Sequence, residues 1–262
     1  SWNTLLFVDL VGANTLQAAF ETADKTNDNT FERYQSLISN ATRQKGGELV
    51  QSDGLSFLFA FPETDQALGC ALSIQEAIEI RSPIKGPMGV LRVRMALHAA
   101  PKPKVKDKQP QSDLVQVLTR IVGKAREGDI LISDAARELL KSKIPNLTFV
   151  GKFELEVATG DQADTLLTVY EAVLLMPVNL TQVEWEALFD QDPGSRSGGG
   201  FQALLVALQD KVKDNHLELT VSDRERIARY AHDYSGGGWQ GRLRKIFGRT
   251  LGSNLGREST KR

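Results

Sequence analysis

TLLFVDLV, the stretch from Thr4 to Val11, decides the fold because it is a short apolar run with one acid near its end. Its β-branched and aromatic content is typical of a buried strand. Asp9 is the anomaly in this strand. It is either a cap or turn residue, or a functional carboxylate placed where the strand ends.

The segments after this strand alternate between helical and strand patterns. Residues 29–44 are predicted to form a helix that Gly46-Gly47 ends, and residues 48–61 two strands around the turn pair Asp53-Gly54. The remaining pattern indicates a helix over 65–78, a strand over 91–99, a helix over 113–126, a strand over 129–132, a helix over 134–142 that Ser133 caps, and a hairpin over 148–157 and 165–173. This order predicts an α+β fold of the ferredoxin-like βαββαβ type, a mixed sheet with helices on one face.

The chain changes character after residue 176. We predict a first domain over 1–176, a linker over 177–200 and a helical C-terminal region over 201–262. The linker is predicted from the Gly-, Ser- and Pro-rich run between Asp192 and Gly200. Helices are expected over 201–213 and 222–233, with Ser222 as the N-cap of the second, followed by a basic tail.

Composition excludes several classes of protein. With 41% apolar and 25% charged residues and a net charge of −1, the chain is typical of a globular protein, and the charge does not indicate nucleic-acid or membrane binding. The single cysteine, Cys70, lies in an apolar stretch and is expected to be a small buried side chain. No apolar run approaches the ~20 residues that span a bilayer, so we expect a cytoplasmic chain without a transmembrane segment.

Several motifs combine to indicate a family. Phe7-Val8-Asp9-Leu10-Val11-Gly12 resembles the first-strand motif of class III adenylate/guanylate cyclases, and Gly46-Gly47 and Phe61-Pro62 come later at that family's spacing. The strand from Leu91 to His98 resembles the family's "lRvRiGlH", and Val115 to Ser133 resembles its "VNxAaRl…a..GqvlvS" segment. The resemblance covers about two thirds of the chain, and its specificity comes from the order and spacing of the motifs together.

The resemblance implies a reaction and a site. Class III cyclases convert a nucleoside triphosphate into a 3′,5′-cyclic monophosphate and pyrophosphate by intramolecular phosphoryl transfer. Two divalent cations, Mg²⁺ or Mn²⁺, are held by aspartates on adjacent strands. The family site lies at a dimer interface, where a partner chain usually contributes an Asn and an Arg. We therefore expect a homodimer, or pairing with another cyclase-type chain.

The first half of that site is matched. Asp9 stands at the position of the first metal-binding aspartate, and the carbonyl of Leu10 would be a second metal oxygen. The phosphates would be cradled by backbone amides as the chain turns into a helix. Those amides belong to Val11, Gly12, Ala13 and Asn14.

The second metal position departs from the family. Gapless alignment places Leu55 there, and leucine cannot ligate a cation. Asp53 lies two residues earlier, and a local shift of the chain would let it serve as the metal ligand. The alternative is that Asp53 is a turn-forming residue of the Asp-Gly pair.

Glutamine replaces other functional residues. Gln51 stands at the base-reading Lys position, Gln109 near the base-reading Asp position and Gln116 at the Asn position, whereas Arg120 keeps the Arg position. Gln116 and Arg120 are four residues apart and share a helix face. This face is either catalytic or simply solvated.

Three functions remain open, and the sequence leaves undecided whether the chain is an enzyme. The first is a cyclase-homology domain with a degenerate metal site and a regulatory, scaffold or nucleotide-binding role. The second is an active cyclase that uses Mg²⁺ or Mn²⁺ on a base other than adenine, such as a pyrimidine, since glutamine can donate and accept hydrogen bonds. If the chain is inactive, no cofactor is expected.

The third function is an adaptor that binds a protein partner, nucleic acid or a membrane through its basic C-terminus. Residues 242–262 contain seven Lys or Arg and one Glu. The alternative is a solvated basic tail that packs Trp239, Ile246 and Phe247 on its own domain. His98 is expected to be a structural, hydrogen-bonded histidine.

Overall fold

The computed structural model of the protein describes residues 2–13, 15, 18, 28–86, 89–101, 110–159, 162–234 and 238–258. Its contacts divide the chain into two compact units. The first comprises Ser1–Ile78 and Pro83–Val173, and the second Glu79–Ser82 and Leu174–Arg262. Among the described residues, no helix combines the length and apolar character needed to cross a membrane.

The first unit alternates strands and helices. In chain order they are β1 (Trp2–Leu10), α1 (Asp28–Gln44), β2 (Glu48–Ser52), β3 (Ser56–Phe61), α2 (Thr64–Glu76) with a π-helical continuation (Ala77–Arg81), β4 (Lys85–Gly86), β5 (Gly89–Val90), β6 (Val93–Pro101), α3 (Pro110–Gly123), β7 (Ile130–Ser133), α4 (Asp134–Arg137), β8 (Leu147–Thr159) and β9 (Gln162–Leu174). The α+β class and the βαββαβ order predicted from the sequence are confirmed.

Seven strands of the described residues form one mixed sheet, in the order β2-β3-β1-β6-β7-β9-β8. β1 lies near the middle and pairs antiparallel with β3 and with β6, whereas β6 and β7 run parallel. The register places Asp9 directly opposite Ser56 of β3 on one side and Arg94 of β6 on the other.

Side chains of β1 alternate between two hydrophobic cores, as the pleat of a strand requires. Leu6, Val8 and Leu10 join a core that includes residues of α1 and α2. Leu5 joins a second core on the opposite face, which includes Leu118 of α3. Helices therefore cover both faces of the sheet, and our expectation that they lie on one face is wrong. The continuous apolar run of β1 follows from burial on both sides.

The second unit is mostly helical, as predicted. It contains β10 (Met176–Asn179), α5 (Gln182–Phe189), a 3₁₀ turn (Pro193–Ser197), α6 (Gly200–Gln209), β11 (His216–Leu219), α7 (Val221–His232) and α8 (Trp239–Leu251). β10 and β11 pair antiparallel. Leu204, Leu208, Ile227, Ile246 and Phe247 belong to its buried core.

The linker predicted over 177–200 differs from the structure. Val178, Leu180 and Leu188 are buried in the core of the second unit, so this segment contributes a strand and a helix. Thr181 begins α5 with a capping box, in which Glu184 bonds back to the Thr181 amide. The Gly- and Ser-rich composition is a local property of the turn after α5.

Two predicted helix limits also change. α7 begins earlier than expected, because the N-cap is Thr220 rather than Ser222. α4 ends at Arg137 instead of residue 142, and both carboxylate oxygens of Asp65 accept hydrogen bonds from the backbone amides of Lys141 and Ser142. Those bonds hold Lys141 and Ser142 in a non-helical conformation. At the other end of α4, the predicted N-cap Ser133 is confirmed, because its side chain accepts a hydrogen bond from the Ala136 amide.

Candidate functional site

A cleft of about 470 Å³ lies at the end of β1, within the first unit. It forms where β1 ends beside the β2–β3 turn and the start of β6. The described residues that line it are Asp9, Leu10, Gly12, Ala13, Thr15, Asp53, Leu55, Ser56 and Arg94.

Asp9 is the central carboxylate of this cleft, and both of its oxygens have partners. Oδ1 accepts a hydrogen bond from the Ser56 hydroxyl at 2.8 Å, and Oδ2 accepts one from Nε of Arg94, also at 2.8 Å. Arg94 and Asp9 form an ion pair whose side chains are 30% and 16% exposed, so solvent screens it only in part. The Asp9 side chain is thus held by its two cross-strand neighbours.

Asp53 lies in the turn between β2 and β3. Its Oδ1 accepts hydrogen bonds from the backbone amides of Leu55 at 2.9 Å and Ser56 at 2.7 Å. Gly54 has φ of +89°, the left-handed conformation that glycine adopts without strain. Asp53 is therefore a turn-forming residue, and it also lines the same cleft as Asp9.

A buried tyrosine of helix α1 forms a hydrogen bond to the turn between β2 and β3. The hydroxyl of Tyr34, a fully buried residue, donates a hydrogen bond to the Leu55 carbonyl at 2.8 Å. Burial raises the pKa of Tyr34 far above its ordinary value, and the negative charges of Asp9 and Asp53 raise it further. Both carboxylates thus act electrostatically on one buried hydroxyl.

The residues of this cleft do not fit a pair of divalent cations. Leu55, at the position where the family resemblance expects the second aspartate, is an aliphatic side chain that packs against the hydrophobic core and cannot ligate a cation. Within the described ranges, no group of three or more His, Cys, Asp or Glu side chains could hold a metal ion.

The predicted phosphate cradle is placed only in part. Leu10, Gly12 and Ala13 line the cleft. The Val11 amide donates to the carbonyl of Arg92 at 2.9 Å, so this amide is already bonded within the sheet. Asn14 lies outside the described residues, as does Gln109.

The other predicted residues do not line this cleft. Gln51 is exposed on β2, an edge strand of the sheet. Gln116 and Arg120 are exposed on α3, and Nη1 of Arg120 donates to the Glu156 carbonyl at 2.8 Å. The structure therefore brings Asp9 and Asp53 together and leaves Gln51, Gln116 and Arg120 elsewhere in the unit.

Sequence reasoning missed the partners of Asp9. Arg94 lies within the "lRvRiGlH"-like strand, but nothing in the sequence assigns it to Asp9. The signal that finds it is the strand register, because residues directly opposite each other on neighbouring strands have adjacent side chains. Ser56 is found by the same register on the other side of β1.

Two predicted structural residues behave as expected. His98 is buried, and its Nδ1 lies 2.8 Å from the Ser133 hydroxyl. Burial lowers the pKa of His98 to about 4, although the nearby charge of Asp134 opposes the shift. Cys70 is a free, buried cysteine, and burial raises its pKa to about 11.

The basic C-terminal segment belongs to the second unit. Leu243, Ile246 and Phe247, the apolar face of α8, are buried in that unit's core. Arg249 donates to Glu184 and to the Asn179 carbonyl. These contacts agree with a segment that packs on its own domain, which was one of the two interpretations of its pattern.

Solved structures similar to this chain include catalytic domains of nucleotide cyclases. The catalytic core of a rhodopsin-guanylyl cyclase with converted specificity, solved in complex with ATPalphaS, has a TM-score of 0.50 and 21% identity, over 65% of this chain and 95% of that one. An adenylate/guanylate cyclase/hydrolase from Silicibacter pomeroyi has a TM-score of 0.49 and 20% identity, over 66% and 96%. The guanylate cyclase domain of RhGC from Catenaria anguillulae, in complex with GTP, has a TM-score of 0.47 and 19% identity, over 65% and 95%.

The first of these likenesses, with a TM-score of 0.50 and 21% identity, shows the fold alone. The first unit therefore has the fold of a class III nucleotide cyclase catalytic domain, as the sequence motifs predicted. No family model matches the chain, and no curated protein sequence matches it.

Proposed function

We propose that this protein is a cyclase-fold module that does not catalyse cyclisation and acts in signalling as a regulatory, scaffold or nucleotide-binding component. The observation that carries this proposal is Leu55, which stands where the resemblance expects the second metal-binding aspartate and which lines the same cleft as Asp9. An aliphatic side chain has no oxygen to ligate a divalent cation.

The expected loss of rate supports this function. Each preorganised group that stabilises developing charge is worth about 10²–10³ in rate. This chain has Leu55 and Gln116 at two such positions.

A turnover assay tests the proposal. The full chain is incubated with ATP, GTP, CTP or UTP and Mn²⁺, and products are quantified by mass spectrometry against Asp9→Ala. We expect wild type and variant to give the same background. Cyclic product that wild type forms and Asp9→Ala loses would refute the proposal.

An active cyclase is the second candidate, and one observation supports it. Asp53 lines the same cleft as Asp9, so this chain has two carboxylates there despite Leu55. Gln51 lies off this cleft, so it would read the base only in a partner's site, where the substrate would be a nucleotide other than ATP, such as CTP or UTP. For this candidate, the same assay must give product that disappears both in Asp9→Ala and in Asp53→Ala.

Pairing with a second chain is part of the proposal. Gln116 and Arg120 lie off the cleft of their own chain, as expected if such residues serve a partner's site. Light scattering at micromolar concentration tests this. A dimer is expected, either of this chain alone or with another cyclase-type chain, and a persistent monomer in both cases would contradict it.

An adaptor role for the C-terminus has weaker support, because only part of its charge is exposed. Arg244 and Lys245 are exposed on α8, whereas the apolar face of that helix is buried. The cytoplasmic location, expected because no apolar run is long enough to span a bilayer, stays a prediction.

A further inference from the structure

The last turn of α2 has a rare geometry. Residues Ala77–Arg81 form a π-helical turn that continues the α-helix, and we call it the π-turn. Such turns are uncommon, occur mostly as single turns inserted in α-helices and are frequent at functional sites. Because the α-helical turn is the ordinary conformation of such a segment, we expect contacts from elsewhere in the chain to hold this one in the π form.

Residues 252–258, which we call the strap, supply such contacts. The strap follows α8, and the Glu258 amide donates to the Arg81 carbonyl, at the end of the π-turn, at 2.9 Å. Gly256 approaches the buried side chain of Ile80 so closely that a Cβ atom at Gly256 would lie 2.8 Å from Cγ2 of Ile80. One backbone hydrogen bond and one close apolar approach therefore join the strap to the π-turn.

The strap is also attached to the end of α7. Nε2 of His232 lies 2.9 Å from the carbonyl of Asn254, and Arg257 forms an ion pair with Asp233 at 3.3 Å. The side chain of Leu255 is buried in the core of the second unit. The strap thus connects the end of α7 with the π-turn.

The closed strap carries backbone strain. Leu255 has φ of +50°, in the left-handed region that bulky side chains rarely adopt. Residues in such conformations persist only where the surrounding contacts hold them, and they are common in switch regions. Burial of the Leu255 side chain stabilises the closed strap, whereas its backbone conformation opposes closure. The ion pair between the exposed side chains of Arg81 and Glu258, at 4.0 Å, adds little.

We propose that the strap and the π-turn form a two-state device, in which the closed strap holds the turn in the π form and its release lets the turn become α-helical. A π-turn bonds residues five apart and an α-turn residues four apart, so the change rotates Ile78 and Ile80 about the helix axis. Ile78 belongs to the core of the first unit, whereas Ile80 is grouped with the second. The strap of the second unit thus sets how a helix of the first unit ends. This inference goes beyond the proposed function and does not depend on the chemistry of the cleft.

Glu258→Pro tests the backbone hydrogen bond, with Glu258→Ala as its matched control. Proline has no N–H, so the bond to the Arg81 carbonyl is lost, whereas alanine keeps that N–H and removes only the side chain. The readout is hydrogen exchange of the full chain, followed by mass spectrometry. In Glu258→Pro we expect the amides of residues 79–82 to exchange about tenfold faster than in wild type, and in Glu258→Ala to stay within about twofold of it.

Two glycine variants test the approach to Ile80. Gly252 and Gly256 have φ of +84° and +90°, so alanine strains the backbone at either position. A Cβ at Gly256 meets Ile80, whereas at Gly252 none of the described atoms lies within 4 Å of it. Exchange of residues 79–82 should therefore be faster in Gly256→Ala than in Gly252→Ala.

Exchange of residues 243–247 in α8 shows whether the second unit stays folded, because Leu243 and Phe247 belong to its core. We expect it to be unchanged in all four variants. In wild type, residues 79–82 and 255–258 should open together and more often than α8 does.

Three results would overturn the inference. The first is equal exchange of residues 79–82 in Glu258→Pro and Glu258→Ala, and the second is equal exchange there in the two glycine variants. The third is a wild type in which residues 79–82 exchange only when α8 unfolds. If Glu258→Pro also unfolds α8, the glycine pair decides.

Discussion

Each unit of this protein contains an arginine that binds a largely buried carboxylate, and the two pairs differ in their surroundings. In the first unit, Arg94 binds Asp9 at the wall of a cleft of about 470 Å³. In the second unit, Arg249 donates to both oxygens of Glu184, and one of those oxygens also accepts the Thr181 amide. Glu184 thus joins the start of α5 to α8, whereas Asp9 faces open space.

The difference separates a structural ion pair from one placed at a potential binding site. Arg249 lowers the pKa of Glu184, since its hydrogen bonds favour the charged form. That carboxylate is part of a capping box, so its loss affects both a helix start and a helix contact. Removal of Asp9 affects two side chains that border solvent.

The largest expected effect is on the second unit. Glu184→Ala should lower its free energy of unfolding by about 2–3 kcal/mol, because charge-assisted bonds and one capping bond are lost. Glu186→Ala, four residues from its partner Gln182 on the exposed face of α5, is the matched control. Urea unfolding followed by tryptophan fluorescence, in a Trp2→Phe background that removes the tryptophan of the first unit, reads this unit through Trp185 and Trp239. If Glu184→Ala and Glu186→Ala are equally stable, the pair of Arg249 and Glu184 does not stabilise the second unit. The contrast with the pair of Asp9 and Arg94 then fails.

A second prediction concerns a polar pair that is wholly buried in the first unit. The pKa of His98 is lowered to about 4, so between about pH 6.5 and 4 the unfolded chain binds a proton that the folded chain does not. Unfolding free energy is therefore lost as the pH falls, by about 2 kcal/mol from pH 7 to pH 5.

Hydrogen exchange of β6 and β7, read by mass spectrometry at both pH values, measures this loss. His98→Gln, which does not titrate, should show a smaller difference between the two pH values. If both proteins change equally with pH, the origin of the loss lies elsewhere.

The smallest effect is expected at the cleft. Asn keeps one acceptor oxygen for Arg94, and the Ser56 hydroxyl can rotate to accept from the Asn NH2, so Asp9→Asn should change the unfolding free energy of the first unit by less than about 1 kcal/mol. Chemical denaturation followed by circular dichroism checks it. A loss as large as that of Glu184→Ala would mean that Asp9 is mainly a structural residue and that the two pairs are alike.

The strand and helix order of the first unit was predictable because its signals are local. The apolar run before Asp9, the Asp53-Gly54 turn and Ser133 as a cap each depend on neighbours in the sequence. The motif spacing then predicted the cyclase-like fold, which the likeness to the rhodopsin-guanylyl cyclase core confirms.

The pairing at the candidate site was not predictable in the same way. Asp9 and Arg94 are 85 residues apart, and only the register of β1 and β6 places them together. The predicted linker was wrong for a similar reason. Val178 and Leu188 are buried in a core that includes residues of α6 and α8, which lie further along the chain. The composition of residues 177–200 alone therefore does not indicate that this segment is buried.

The most direct test of the central claim is a crystal structure of the full chain soaked with Mn²⁺, using anomalous scattering to count ions in the cleft. We expect no ion at Asp9 and an intact contact between its Oδ2 and Arg94. Two manganese ions held by Asp9 and Asp53 of the same polypeptide would contradict that claim.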